Sequence, residues 1–222
     1  MSSSGISLCF VVDCTYSQGR TLGSLAKILP SLVAETQALL RSHHGTLLPV
    51  NVSFVGYSDI ECEVPVVVQD WTDLQSLIRS IIARETQLGK DFAEDLASGL
   101  DAALNLNWPE GKRIVLLIAD APGHGLLPRG SKGSDHFPIF DQNKVPWEER
   151  YNSIFEKSLD LNINYVIVPI DHVPEKPVSL RVLKRLIKEF KKHLGKESII
   201  VTEPHVEVEL TRLLDSVSRF LS

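Results

Sequence analysis

Short apolar runs alternate with longer segments of helical periodicity along the whole chain. Residues 7–13 and 112–120 are continuous apolar runs, which is typical of strands buried on both faces of a sheet. The segment 49–59 alternates in steps of two and predicts a further strand, whereas 21–42 repeats its apolar residues at helical spacing and predicts a helix. Strands that alternate with helices indicate parallel pairing, with helices on both faces of the sheet.

The rest of the chain continues this alternation. Further strands are predicted at 64–71, 163–171 and 198–203, and further helices at 72–85, 91–106, 146–162, 179–194 and 206–221. Pro65, near the start of its strand, favours an edge position with antiparallel pairing. Because no linker or repeat interrupts the pattern, we predict a single domain over residues 1–222, with 1–5 as a flexible tail. The predicted fold is a doubly wound α/β domain, whose mostly parallel six-stranded sheet carries one antiparallel edge strand.

The composition restricts the classes of function. A net charge of −5 argues against a protein that binds duplex DNA, and every apolar run is too short to cross a bilayer. The first ten residues, MSSSGISLCF, lack the basic and apolar regions of a signal peptide. Three cysteines without a Cys-x-x-Cys pair do not form a disulfide framework. We therefore expect a cytoplasmic protein that binds neither nucleic acid nor membranes.

Two of the buried strands end on an aspartate, at Asp13 and at Asp120. They are the first and fourth strands, which lie side by side in the strand order 3-2-1-4-5-6 that is common in doubly wound sheets. Both carboxylates then point into the crevice at the carboxyl edge of the sheet, where ligands usually bind. Since two carboxylates in one cleft repel each other, either one takes up a proton or a cation lies between them.

The residues after Asp13 favour the cation. Thr15 and Ser17 alternate with Asp13, so a loop that leaves the strand can turn three oxygens toward one point. Hard oxygen ligands with no His or Cys nearby suit Mg²⁺ rather than zinc. Such a site would keep several waters and could accept a carboxylate from a partner. The alternative interpretation of the same stretch is a strand end followed by a helix cap.

Four longer motifs follow one another between residue 6 and about 195: DCTYS, VGYSDI, LGKDFAEDLASGLDAALNLNWP and IADAPGHG. In this order they resemble the von Willebrand factor A domain, in the version found with atypical alpha-kinases. The resemblance implies a metal-ion-dependent adhesion site, with Asp13, Thr15 and Ser17 as its first loop and Asp120 as its final carboxylate. The family's further threonine ligand is not matched, because LGKD places Asp91 at about that point, and Thr86 is the other candidate.

The function expected from this resemblance is a protein-interaction module and not an enzyme. It would hold Mg²⁺ (or Mn²⁺) and capture an Asp or Glu of a protein partner. A metal-independent scaffold of the same fold is one alternative, and an unusual hydrolase with His124 as its base is another, although no Gly-x-Ser-x-Gly motif is present. Glu94 and Asp95 are interpreted as acids that stabilise the first turn of a helix, and Asp59 as a turn residue.

Overall fold

Six strands form one sheet in the computed structural model, which describes residues 5–89, 92–126, 135–171, 179–205 and 207–221. The strands are β1 (Ile6–Asp13), β2 (Val50–Tyr57), β3 (Val66–Thr72), β4 (Lys112–Ala119), β5 (Ile163–Pro169) and β6 (Ile199–Val201). Their order is β3-β2-β1-β4-β5-β6. All neighbours pair in parallel except β2 and β3, which are antiparallel. The predicted strand order and the antiparallel edge strand are confirmed.

Within the described ranges, six α-helices cover the two faces of the sheet. They are α1 (Gly19–His44), α2 (Leu74–Ala83), α3 (Leu96–Leu104), α4 (Trp147–Asp160), α5 (Ser179–Leu194) and α6 (Leu210–Leu221). Helices α1, α2 and α6 contribute buried residues to one hydrophobic core, and α3, α4 and α5 contribute to the other. The first and last helices therefore share one face, as a doubly wound sheet requires.

The burial of the central strand β1 explains why its residues from Leu8 to Val12 are all apolar. All eight of its residues are buried. Phe10 and Val12 belong to the core beneath α1, whereas Cys9 and Val11 belong to the opposite core. Because β1 lies between β2 and β4 and both of its faces are covered, no position along it can be polar without a specific partner.

Helix α3 begins at Leu96, five residues later than the sequence pattern predicts. The side chain of Asp95 caps the helix by accepting a hydrogen bond from the backbone N–H of Ser98 at 3.2 Å. The preceding residue, Glu94, forms a parallel β-bridge with Gly123 instead of a helical turn. Asp95 thus acts at the helix start, as interpreted from the sequence, whereas Glu94 lies outside the helix.

The longest helix, α1, continues past Pro30 to His44 and is capped by Gly45. Gly45 has a left-handed backbone (φ 69°), and its N–H donates to the carbonyl oxygen of Arg41 at 2.8 Å, which is a common helix termination. Neither α1 nor any other helix in the described ranges is both long and apolar enough to cross a membrane. Cys9, Cys14 and Cys62 are all free thiols.

Candidate functional site

Four of the predicted ligands form one chain of contacts at the carboxyl edge of β1 and β4. Oδ1 of Asp13 accepts hydrogen bonds from the backbone N–H of Thr15 at 2.8 Å and from its hydroxyl at 2.7 Å. The hydroxyl oxygens of Thr15 and Ser17 are 3.4 Å apart, and Ser17 donates to Oδ2 of Asp120 at 2.8 Å. The structure brings these four side chains together, and their role as metal ligands stays a prediction.

The backbone explains this convergence. β1 and β4 pair in parallel with Val12 opposite Ile118, so both strands reach the same edge of the sheet and Asp120 follows directly after β4. Thr15 keeps an extended backbone (φ −71°, ψ 167°), and a single 3-10 turn over Tyr16–Gln18 follows it. The extended segment and the turn together bring the alternate hydroxyls toward Asp120.

Of the two remaining candidate ligands, the structure describes Thr86 but not Asp91. Asp91 lies outside the described residues, so its place in the site stays a prediction. Thr86 lies beside the loop that carries the hydroxyls, since its methyl carbon is 3.9 Å from where a Cβ on Gly19 would stand. The next residue, Gln87, donates its backbone N–H to the carbonyl oxygen of Cys14 at 3.1 Å. The segment that begins at Thr86 therefore runs alongside the loop after β1.

The electrostatics of Asp13 fit a cation. Burial raises the pKa of Asp13 well above its ordinary range and the charge of Asp120 raises it further, while the hydrogen bonds from Thr15 act in the opposite direction. Oδ2 of Asp13 is buried and receives no hydrogen bond from any described residue. An oxygen in this position is costly unless a proton or a cation satisfies it.

The donor set consists of oxygen atoms only. The described residues contain no group of three or more His, Cys, Asp or Glu side chains placed to hold a metal ion. The candidate ligands among the described residues are two carboxylates and two hydroxyls, and these hard ligands match Mg²⁺, which keeps part of its water shell in proteins. The residues present thus fit the ion that the sequence predicts.

Glu94 is a buried acid that the sequence interpretation placed wrongly. Its Oε2 is buried without a hydrogen bond from the described residues. Burial raises the pKa of Glu94 to about 11, and the charges of Asp13, Asp59 and Asp120 contribute in that order. Glu94 therefore faces the acidic site. The adjacent acids Glu94 and Asp95 both suit a helix start, so nothing in the sequence shows which of them caps the helix.

His124 lies behind this site in a fully buried position. Its Nε2 is 3.0 Å from Oδ1 of Asp59, and its Nδ1 is 2.9 Å from Oδ1 of Asp135. Asp59 also begins a turn, with its carbonyl oxygen accepting from the N–H of Cys62 at 3.0 Å, in agreement with the sequence interpretation. Because both ring nitrogens of His124 face carboxylates inside the protein, the geometry disfavours a hydrolase that uses this histidine as its base.

Two large apolar side chains flank the loop after β1. Tyr16 is 73% exposed and Leu88 is 79% exposed. The parallel bridge between Thr15 and Gln87 places Tyr16 and Leu88 next to each other in register. Aromatic side chains are enriched in protein interfaces, so this exposed pair suits contact with another protein.

Solved structures with the same architecture occur among bacterial pilus proteins. The pilus adhesin SpaC of Lactobacillus rhamnosus GG matches 99% of this chain and 30% of its own, with a TM-score of 0.59 and 10% sequence identity. The vWF domain of the type V pili tip protein Mfa5 from Porphyromonas gingivalis matches 100% of this chain and 96% of its own, with a TM-score of 0.55 and 11% identity.

The chain has a von Willebrand factor A-like fold. This von Willebrand A-like chain is also 27% identical over 170 residues to the alpha-protein kinase vwkA of Dictyostelium discoideum. The match covers 74% of this chain and 25% of the kinase, so the chain spans about a quarter of that relative's length. The relationship agrees with the resemblance to the A domains found with alpha-kinases. No family model matches the sequence.

Proposed function

We propose that this von Willebrand A-like chain is a protein-interaction module that holds Mg²⁺ (or Mn²⁺) at the carboxyl edge of β1 and β4. The observation that carries the proposal is the continuous set of contacts that joins Asp13, Thr15, Ser17 and Asp120. The buried, unsatisfied Oδ2 of Asp13 supports a cation at this place. The free thiols are compatible with a cytoplasmic location, which we include in the proposal.

The residues of the chain and the ion would have separate tasks. The ion supplies a positive potential that attracts an Asp or Glu carboxylate of the partner. Asp13 and Asp120 offset part of its charge, and the hydroxyls of Thr15 and Ser17 supply neutral oxygens that leave the rest of the charge for the partner. Tyr16, exposed between the two hydroxyl residues, contacts the partner beside the captured acid.

Calorimetric titration of the purified chain with Mg²⁺ and Mn²⁺ tests the metal site. We expect binding to one site in the native sequence, and no binding in Asp13→Ala with an unchanged circular dichroism spectrum. Asp160→Ala is the matched control, because Asp160 is an exposed acid at the end of α4. Equal binding by native chain and Asp13→Ala, or no binding by the native chain, would contradict the proposed ion site.

Affinity capture with and without EDTA tests the dependence of partner binding on the ion. We expect partners to be released by EDTA, restored by added Mg²⁺, and lost in Asp13→Ala. The other function that the fold allows is a metal-independent scaffold. Partner binding that persists in EDTA and in Asp13→Ala, while Asp160→Ala behaves as the native chain, would favour the scaffold.

A further inference from the structure

His124 lies where four segments of the chain meet behind the proposed ion site. Its backbone N–H donates to the carbonyl oxygen of Glu94 at 3.1 Å. Its ring stacks on Trp147 of α4, with centroids 5.4 Å apart and 21° between the planes, and the ring of Phe137 meets it nearly edge-on at 5.4 Å and 82°. Asp59, in the segment after β2, faces Nε2 of the ring. Residues of three other segments therefore contact His124.

Both ring nitrogens face a carboxylate oxygen at hydrogen-bond distance, on Asp59 and on Asp135. A neutral imidazole carries only one N–H, whereas the imidazolium carries two. Although burial acts to raise the pKa of Asp135, its hydrogen bonds with His124 and with the backbone N–H groups of Gly125 and Phe137 lower the pKa below its ordinary value. Asp135 is thus an ionised acceptor that takes the hydrogen of Nδ1 of His124. A second hydrogen, on Nε2, would let the ring donate to Asp59 as well.

The glycines on either side of His124 allow the segment to approach α4 closely. A Cβ on Gly123 would lie 2.1 Å from Oη of Tyr151. Gly125 has a left-handed backbone (φ 73°), and a Cβ there would lie 2.7 Å from Cβ of Trp147. These two positions explain the motif PGHG in physical terms: the glycines permit close packing, and the histidine between them turns toward the two acids.

The same segment is joined directly to the ion site. Pro122, two residues after Asp120, accepts a hydrogen bond from the backbone N–H of Glu94 at 3.0 Å. Gly123 forms the parallel bridge with Glu94. Only three residues separate Asp120 from His124, so fixing the imidazole also fixes the stretch of backbone that aims the Asp120 carboxylate at Ser17.

We propose that His124 is a positioning residue, an internal imidazolium that locks the segment after Asp120 and so holds the Asp120 carboxylate in place for the ion. Among the described residues, the acids near His124 are Asp59 and Asp135, which face its ring nitrogens, and Glu94, whose carbonyl oxygen accepts its backbone N–H. The effect on ion affinity rests on the proposed function, whereas the charge of His124 does not.

Nitrogen-15 NMR of the histidine rings tests the charge directly. We expect both ring nitrogens of His124 to carry hydrogens at pH 7 and at pH 8, in the presence and absence of Mg²⁺. His136, whose side chain is 49% exposed, provides the internal comparison for a ring in contact with water. One nitrogen without a hydrogen in His124 at pH 7 would overturn the assignment.

Titration of variants with Mn²⁺ tests the positioning role. His124→Phe keeps a flat ring for stacking on Trp147 but has no N–H, and we expect its affinity for Mn²⁺ to fall about tenfold or more, as for other residues that orient metal ligands. His136→Phe is the matched control and is expected to bind as the native chain does. Native affinity in folded His124→Phe would overturn the positioning role.

A second variant covers the case in which His124→Phe does not fold. Asp135→Asn keeps the size of the side chain and one oxygen acceptor but removes the charge that faces Nδ1. We expect this variant to bind Mn²⁺ more weakly and His124 to lose its second ring hydrogen. Native affinity for Mn²⁺ together with two ring hydrogens on His124 would overturn the proposal. If the native chain binds no Mn²⁺, the proposed function fails, while the NMR result still decides the charge of His124.

Discussion

The hydroxyl of Ser17 donates a hydrogen bond of 2.8 Å to Oδ2 of Asp120, although the two residues are 103 positions apart in the chain. The bond joins the 3-10 turn after β1 to the end of β4, and it exists only because these two strands are neighbours in the sheet. The hydroxyl is also 3.4 Å from that of Thr15. Ser17 thus links the first loop of the site to its final carboxylate.

Ser17→Ala is expected to weaken Mg²⁺ binding about tenfold or more with little change in stability. The substitution removes one oxygen of the proposed ligand set, but Ser17 is exposed and packs no core. Calorimetric titration measures the affinity, and thermal unfolding in EDTA measures the stability. Ser42→Ala, an exposed serine late in α1, is the control, and equal ion affinity in both variants would contradict the role of Ser17.

The ion-free protein is expected to lose stability as the pH rises from 5 to 8. The folded state keeps a proton on Glu94, because the pKa of this side chain is about 11. The unfolded chain releases the same proton near the ordinary glutamate pKa of about 4.3. The unfolded state therefore binds fewer protons across this range, and the free energy of unfolding falls as the pH rises. The raised pKa of Asp13 acts in the same direction. Melting temperatures in EDTA at each pH check the slope, and added Mg²⁺ is expected to reduce it.

A neutral side chain at Glu94 isolates its share of this effect. Glu94→Gln is expected to flatten the fall of melting temperature with pH, because no carboxyl group at this position can then ionise. Glu156→Gln removes an exposed acid of α4 and is the control. A melting temperature that rises with pH in EDTA, or parallel slopes for Glu94→Gln and the native chain, would contradict the prediction.

Gly123→Ala is expected to destabilise the fold by about 1–3 kcal/mol or more, because the added Cβ would overlap Oη of Tyr151. Gly23→Ala is the matched control, since Gly23 lies in α1 with no atom within 4 Å of the added carbon. It is expected to stabilise the protein by about 0.5–1 kcal/mol through helix propensity. Urea unfolding of both variants checks the opposite signs, and two changes of the same sign would contradict the packing described for Gly123.

Substitution of the exposed apolar pair separates partner binding from ion binding. Tyr16→Ser combined with Leu88→Ser is expected to leave Mg²⁺ affinity unchanged and to lower the recovery of EDTA-sensitive partners. Leu47→Ser is the control, since Leu47 is 67% exposed and precedes β2 at the opposite edge of the sheet. Full recovery by the double variant would show that the partner does not contact this pair.

The arrangement of the strands was predictable because burial on one or both faces gives a strand a recognisable pattern of apolar residues. β1 and the buried part of β4 are covered on both faces, so their apolar runs have no alternation, and the edge strand β3 is the more exposed one. The contacts among Asp13, Thr15, Ser17 and Asp120 then follow from strand order and from the spacing of the residues after β1.

The acids around His124 were not predictable in the same way. His124 meets Asp59 across 65 residues and Asp135 across 11, and the pairings depend on how three loops pack against α4. Either Glu94 or Asp95 can cap a helix, and only the bridge to Gly123 determines that Asp95 does so. Loop pairings of this kind are determined by tertiary packing, which produces no periodic pattern of residues in the sequence.

The neighbouring positions of β1 and β4 would also make the proposed ion a reporter of the folded state. Asp13 and Asp120 are far apart in the chain and come together through the pairing of β1 with β4, so an unfolded chain offers no comparable pocket. A ligand that binds only the native state stabilises it, by about 2.7 kcal/mol at a hundred times its Kd. Depletion of divalent ions would then lower the stability of the whole domain and expose it to proteolysis. It would also abolish the capture of a partner.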